Sequence, residues 1–126
     1  MIHTVTLLLA SALLASATEP AKPVEIREIQ KKTREARTPS EHLAVASHWE
    51  ARALVLDAQA AKHERDADAL ERRDGHNPMK YKWPAMVQAP IDRLRAKAMQ
   101  ARRAAHESRE LMAHHREISE RMRAGE

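Results

Sequence analysis

Histidine and glutamate side chains recur on one face of the C-terminal half of this chain, where they could bind a metal ion. His106, Glu110 and His114 are each four residues apart, so a helix would place them on one side. Neighbours at this spacing can share Zn²⁺, Ni²⁺ or Cu²⁺, which accept imidazole and carboxylate ligands. The outer two lie about 12 Å apart along a helix axis, which is too far to share one ion. A metal site here therefore needs ligands from a second helix.

Further histidines could supply those ligands if two long helices folded back on each other. His42 and His48 would then approach His114 and His115 at the open end of the pair. The predicted metal ligands are therefore His42, His48, His106, Glu110, His114 and His115. The alternative is structural, because His42, His63 and His115 fall on positions expected to face the other helix, where neutral imidazoles pack and hydrogen-bond. We favour the structural interpretation.

Other chemistries find little support in the sequence. There is no glycine-rich phosphate loop and no Gly-x-Ser-x-Gly motif, and the chain has no cysteine. The absence of cysteine excludes disulfides, thiolate metal sites and thiol nucleophiles. The net charge is +4, but acidic and basic residues alternate along each predicted helix, so nucleic-acid binding is not expected. We predict that the protein is not an enzyme and that it has no catalytic or cofactor-binding residues.

The elements that would position these histidines are helices. Two glycines, no phenylalanine and few β-branched runs disfavour sheet, and good helix formers dominate the chain. Thr38, Pro39 and Glu41 form a helix start, with an N-cap, proline at the first helical position and a capping-box glutamate. Gly75 is expected to end this helix in the left-handed conformation.

Two columns of residues spaced seven apart run along each of two long helices. They interleave at spacings of three and four, which is typical of the contact between paired helices. We call these four columns the seam: 39, 46, 53, 60 and 67; 42, 49, 56, 63 and 70; 91, 98, 105, 112 and 119; 94, 101, 108, 115 and 122. On the first helix alanine fills most of one column and larger residues fill the other, and on the second helix small residues are frequent in both columns. The pattern predicts an all-α fold, an antiparallel two-helix hairpin with a heptad-like alanine-rich seam and a short N-terminal helix.

The chain divides into three parts on this interpretation. Residues 18–37 are a proline-containing lead-in whose short helix orders only if Ile26 and Ile29 find a partner. Residues 38–126 are the hairpin domain. It comprises a helix at 38–74, a loop at 75–89 and a helix at 90–123; a start of the second helix at Pro84 remains open. Residues 38–74 carry a net charge of −3 and residues 86–126 one of +3, which favours their pairing.

Residues 1–17 have the pattern of a secretory signal peptide. Residues 5–14 are apolar but short for a membrane span, and Ala15 and Ala17 provide a signal-peptidase site that leaves Thr18 as the new N-terminus. An uncleaved anchor is the alternative. The expected location is outside the cytoplasm, periplasmic or secreted.

The segments EHLAVASHWEARA, AAKHE, NPMKYKWPAMVQAPIDRL and LMAHHRE resemble small exported bacterial proteins of unknown function. Proteins of that group have two alanine-rich helices with a histidine or aromatic residue at every seventh or fourteenth position. In them a His-Cys pair often opens the second helix, where this chain has Ala89 and Pro90. The resemblance implies location and architecture, and no activity.

Taken together, the sequence predicts an exported helical-hairpin protein that acts through protein–protein interaction. Its expected partners are a second copy of the chain or another protein of the cell envelope. The alternative is a periplasmic metal-binding or metal-sensing protein that uses Zn²⁺, Ni²⁺ or Cu²⁺. Peripheral contact of the basic second helix with an anionic membrane or wall surface is a third hypothesis.

Overall fold

Over its described residues, 24–125, the chain is an all-α protein, which confirms the predicted fold class. The computed structural model has four helices in this range: α1 (Ile26–Glu35), α2 (Pro39–Asp74), α3 (Met79–Lys82) and α4 (Pro84–Ala124). No helix of this range is long and apolar enough to cross a membrane. The predicted signal peptide, its site at Ala15, Ala17 and Thr18, and residues 18–23 of the lead-in lie outside the described residues.

Helix α2 begins where the capping motif predicts. The Thr38 hydroxyl oxygen accepts a hydrogen bond from the backbone N–H of Glu41 at 3.2 Å, and Pro39 occupies the first helical position. The Glu41 carboxylate accepts from the backbone N–H of Arg37 at 2.9 Å, one residue before the donor of a standard capping box. The start of α2, and with it the position of His42 in the first turn, is therefore fixed by local hydrogen bonds.

The end of α2 differs from the prediction at Gly75. This glycine has φ −57° and ψ −28°, so it is right-handed and the expected left-handed cap is wrong. The chain leaves α2 through further right-handed turns, because the backbone N–H of Asn77 donates to the carbonyl of Asp74 at 3.0 Å. The Asn77 side chain then accepts from the N–H of Met79 at 2.9 Å, in a turn that leads into α3. No left-handed residue is needed in this connection.

Helix α4 begins at Pro84, the alternative start that the sequence leaves open, so residues 84–89 are helical and belong to this helix instead of the predicted loop. Proline at the first position of a helix costs no hydrogen bond, which favours Pro84 as the start. Pro90 lies inside α4 and removes one donor from its backbone ladder. Two contacts lie within two residues of Pro90. Ile91 is buried, at 2% exposed, and the Gln88 side chain donates a hydrogen bond to the Asp92 carboxylate at 3.0 Å. The predicted loop at 75–89 also contains α3.

Helices α2 and α4 pack together along their lengths. Every residue of the seam is buried or half-buried. Ala60, at 0% exposed, packs against Ala98 and Ala101 at the middle of the pair. Because alanine side chains are short, the two backbones approach closely while little apolar area is removed from water.

Four arginines of α4, spaced seven residues apart, each contact an acidic residue of α2. We call this set the arginine ladder: Arg95 with Glu71, Arg102 with Glu64, Arg109 with Asp57, and Arg116 with Glu50. Arg102 binds both carboxylate oxygens of Glu64 at 2.8 Å and lowers the pKa of that carboxyl group. Each arginine further along α4 contacts an acidic residue that lies nearer the start of α2. Exposed pairs of this kind add little free energy, so the ladder acts mainly on register.

Helix α1 covers one end of the α2–α4 pair. Ile29 is fully buried there against Val45 and Trp49, and Val24 and Met112 pack around this cluster. The expectation that the short helix orders by burying isoleucine is met by Ile29, while Ile26 keeps 39% of its surface exposed. This end of the molecule holds the main buried apolar cluster of the described residues.

Candidate functional site

Three of the predicted ligands, His42, His114 and His115, come together near the start of α2, and we call them the histidine cluster. The rings of His42 and His115 stack with centroids 5.3 Å apart and planes 19° apart. Their Nδ1 atoms are 3.0 Å apart, which is a hydrogen bond. The ring of His114 stands edge-on to that of His115, with centroids 5.5 Å apart. The cluster therefore joins the two long helices through imidazole groups.

Helix starts and seam positions place this cluster. The cap at Thr38 sets His42 in the first turn of α2, and the seven-residue repeat turns His115 towards it. One turn further along α4, the hydroxyl of Ser119 donates to the carbonyl oxygen of Pro39 at 3.0 Å. Both Ser119, 1% exposed, and His115, 4% exposed, are thus buried polar residues with hydrogen-bond partners.

The environment of His115 favours its neutral form. Burial lowers the pKa of His115 below the ordinary value of 6.5, and the nearby His42 and His114 lower it further. The Nδ1 contact also needs one bare nitrogen and one N–H, so the two rings cannot both be protonated and keep it. The hydrogen bond between His42 and His115 therefore persists with at most one of these two rings protonated.

His48 lies apart from the cluster and contacts α1. Its Nε2 atom is 3.4 Å from the ammonium group of Lys32, and only a neutral imidazole nitrogen can accept from that donor. Burial lowers the pKa of His48, as does the charge of Lys32, while Glu28 opposes this effect. A groove of about 250 Å³ beside it separates α1 from α2. This residue therefore links α1 to α2.

His106 and Glu110 form a separate pair on the exposed surface of α4. The Nε2 atom of His106 is 3.0 Å from the carboxylate of Glu110, and their side chains are 73% and 66% exposed. The structure therefore divides the six predicted ligands among the histidine cluster, His48 and this surface pair. Within residues 24–125, no three histidine, aspartate or glutamate side chains are arranged to hold a metal ion.

His63 behaves differently from the other two seam histidines. Its Nδ1 atom is buried and has no hydrogen-bond partner among residues 24–125, so the predicted bond across the helices is absent at this atom. Trp49 has the same feature at Nε1. A buried polar atom without a partner is costly, and both atoms lie on seam positions of α2.

Comparison with known proteins finds no match for this chain. Neither a protein-family model, nor a curated protein, nor a solved structure matches it.

The histidine cluster makes stability depend on pH. Because the pKa of His115 is lowered in the folded chain, the unfolded chain binds the proton first as the pH falls through 6.5. The free energy of unfolding should be retained above this pH and decrease below it. Replacing His115→Gln removes the titrating group, so the variant should lose less stability than the wild type between pH 7.5 and pH 5, measured by urea unfolding.

His106→Gln is the matched control, since this side chain is exposed. Part of the pH dependence should persist in His115→Gln, because the pKa of His48 is also lowered. An unchanged pH dependence in His115→Gln, or an equal change in His106→Gln, would show that the cluster is not responsible.

Proposed function

We propose that α2 and α4 form an antiparallel helical hairpin with a heptad seam, and that this hairpin acts by self-assembly or by binding another protein of the cell envelope. The reversed order of the arginine ladder and the burial of the seam residues support the hairpin. The signal-peptide pattern of residues 1–17 supports an exported location. The resemblance to exported alanine-rich hairpin proteins agrees with both parts of this proposal.

The thin core of the α2–α4 pair is the observation that carries this proposal. Among the described residues, the main apolar cluster lies beside α1, and the middle of the pair contains only Ala60, Ala98 and Ala101 as a buried cluster. Alanine burial contributes little hydrophobic free energy, so a long two-helix segment gains stability from a further apolar surface. A helical partner laid along the pair would supply it.

Exposed apolar side chains mark where a partner would pack. Leu54 is 63% exposed and Met99 is 65% exposed, one on each long helix. Leu54 directly follows the seam residue Ala53, and Met99 directly follows the seam residue Ala98. Each therefore holds the same heptad position on its own helix. The arginine ladder runs along the same flank, where Asp57 and Arg102 follow Leu54 and Met99 by one turn. A second copy could therefore combine apolar contacts with ion pairs here.

Self-assembly predicts a mass that depends on protein concentration. The chain from residue 18 should form dimers or larger species as the concentration rises, measured by sedimentation velocity. The double variant Leu54→Lys, Met99→Lys should shift this equilibrium towards the monomer, because it places two charges in the apolar contact. Both positions are exposed, so the helix content by circular dichroism should be unchanged.

Ala58→Lys, Gln100→Lys is the control, since both positions are exposed and the added charge is the same. It should associate more strongly than the Leu54, Met99 variant. A wild-type chain that stays monomeric at all concentrations would contradict self-assembly.

Metal binding is a second candidate function, favoured by the approach of two imidazoles from different helices. The Nδ1 atoms of His42 and His115 lie 3.0 Å apart, close to the spacing of two ligands on one tetrahedral Zn²⁺ ion with bonds of about 2.0 Å. His114 is the nearest further imidazole. A metal would replace the shared proton of the pair, and Zn²⁺, Ni²⁺ and Cu²⁺ all accept such ligands.

If the histidine cluster binds metal, Zn²⁺, Ni²⁺ or Cu²⁺ should raise the thermal midpoint of the chain. A concentration one hundred times the dissociation constant corresponds to about 2.7 kcal/mol of added stability. His42→Gln should abolish the shift, and His106→Gln should preserve it. Equal shifts in both variants, or no shift in the wild type, would contradict a metal site at the cluster.

A further inference from the structure

The chain has two tryptophans, one tyrosine and no phenylalanine, and two of these three aromatic residues are exposed at the turn between α2 and α4. Tyr81 is 87% exposed and Trp83 is 50% exposed, while Trp49 is buried in the core at 5%. Met79 and Met86 beside them are also exposed. We call this surface the tip patch: Met79, Lys80, Tyr81, Lys82, Trp83 and Met86. Although its apolar core is small, the protein therefore leaves Tyr81 and Trp83 outside that core.

Positive charge surrounds the exposed aromatic rings. Lys80 and Lys82 are exposed on either side of Tyr81, and residues 75–91 contain no aspartate or glutamate. The nearest acidic residues before this segment, Glu71 and Asp74, each contact an arginine. Asp92, which follows it, accepts a hydrogen bond from Gln88. The tip patch therefore presents cations and apolar groups with no acidic residue among them.

Local hydrogen bonds hold the tip patch in a defined backbone conformation. The N–H of Met79 donates to the Asn77 side chain at 2.9 Å, and the N–H of Trp83 donates to the carbonyl of Met79 at 2.7 Å. The N–H of Val87 donates to the carbonyl of Trp83 at 3.3 Å and joins this turn to α4. The aromatic and basic side chains are therefore displayed by backbone whose hydrogen bonds are already made.

We propose that the tip patch binds the surface of an anionic phospholipid membrane. Tryptophan and tyrosine favour the headgroup level, because one end of each ring is apolar and the other is polar. Methionine side chains add apolar area that can enter the acyl boundary, and exposed lysines contact lipid phosphates. Met99 lies about 20 Å along α4 from Met86 of the patch, and Leu54 lies about 30 Å along α2 from Asp74, so membrane contact leaves the proposed self-assembly surface accessible.

Tryptophan fluorescence tests this proposal in the full chain. Since Trp49 is buried, lipids with brominated acyl chains should quench Trp83 selectively when the tip enters the membrane. Quenching is expected with vesicles of phosphatidylglycerol and phosphatidylcholine, and much less with phosphatidylcholine alone. Because the readout is local, binding of the apolar residues 5–14 to lipid does not by itself quench Trp83. Added salt should weaken the effect, since charge attraction contributes to it.

A pair of variants with equal change in charge separates the tip from the rest of the surface. Lys80→Glu, Lys82→Glu should weaken vesicle affinity by at least about tenfold. Lys62→Glu, Lys97→Glu changes two exposed lysines of α2 and α4 and should retain nearly wild-type binding. Helix content by circular dichroism should be equal in both. Absence of Trp83 quenching in the wild type, equal quenching without anionic lipid, or an equal loss in the two variants would overturn the proposal.

Discussion

The close approach of α2 and α4 is the constraint on which the rest of this structure depends. Alanine at the seam allows the two backbones to come near each other, and Ala60, Ala98 and Ala101 form a buried cluster between them. The same choice of residue limits the free energy gained by burial. A long helix pair of this composition therefore needs other interactions to fix its register and to complete its core. These interactions lie in different parts of the molecule.

The residues that fix the register of α2 and α4 differ from those that form the apolar core. The arginine ladder links the helices at intervals of seven residues, and its exposed charges direct pairing more than they stabilise it. The apolar core lies at one end, where Ile29 of α1 packs with Val45 and Trp49. Beside it, His115 and His42 form a polar contact that is sensitive to protonation. The end that holds the main buried apolar cluster is thus also the end whose stability should respond to pH.

Much of this arrangement could be predicted from the sequence, because helix caps and seven-residue spacing are local signals. Thr38 sets the start of α2, and every seam residue is buried or half-buried in the structure. The arginine ladder has an equally regular spacing and could have been predicted in detail, beyond the net charges of −3 and +3. The sequence leaves Pro84 and Pro90 as alternative starts of α4, because a proline can begin a helix or lie inside one when packing compensates for one lost hydrogen bond. The contact of His48 with Lys32 depends on how α1 docks, which local patterns do not specify.

The function proposed here follows from where apolar groups remain exposed, and it requires that α2 and α4 pair in the register of the arginine ladder. Exchanging the charges of one pair tests that register most directly. Arg102→Glu and Glu64→Arg should each lower the free energy of unfolding, because each places like charges opposite one another, and the double exchange should restore most of the loss. Additive losses in the double variant would show that these two residues are not neighbours and would contradict the pairing.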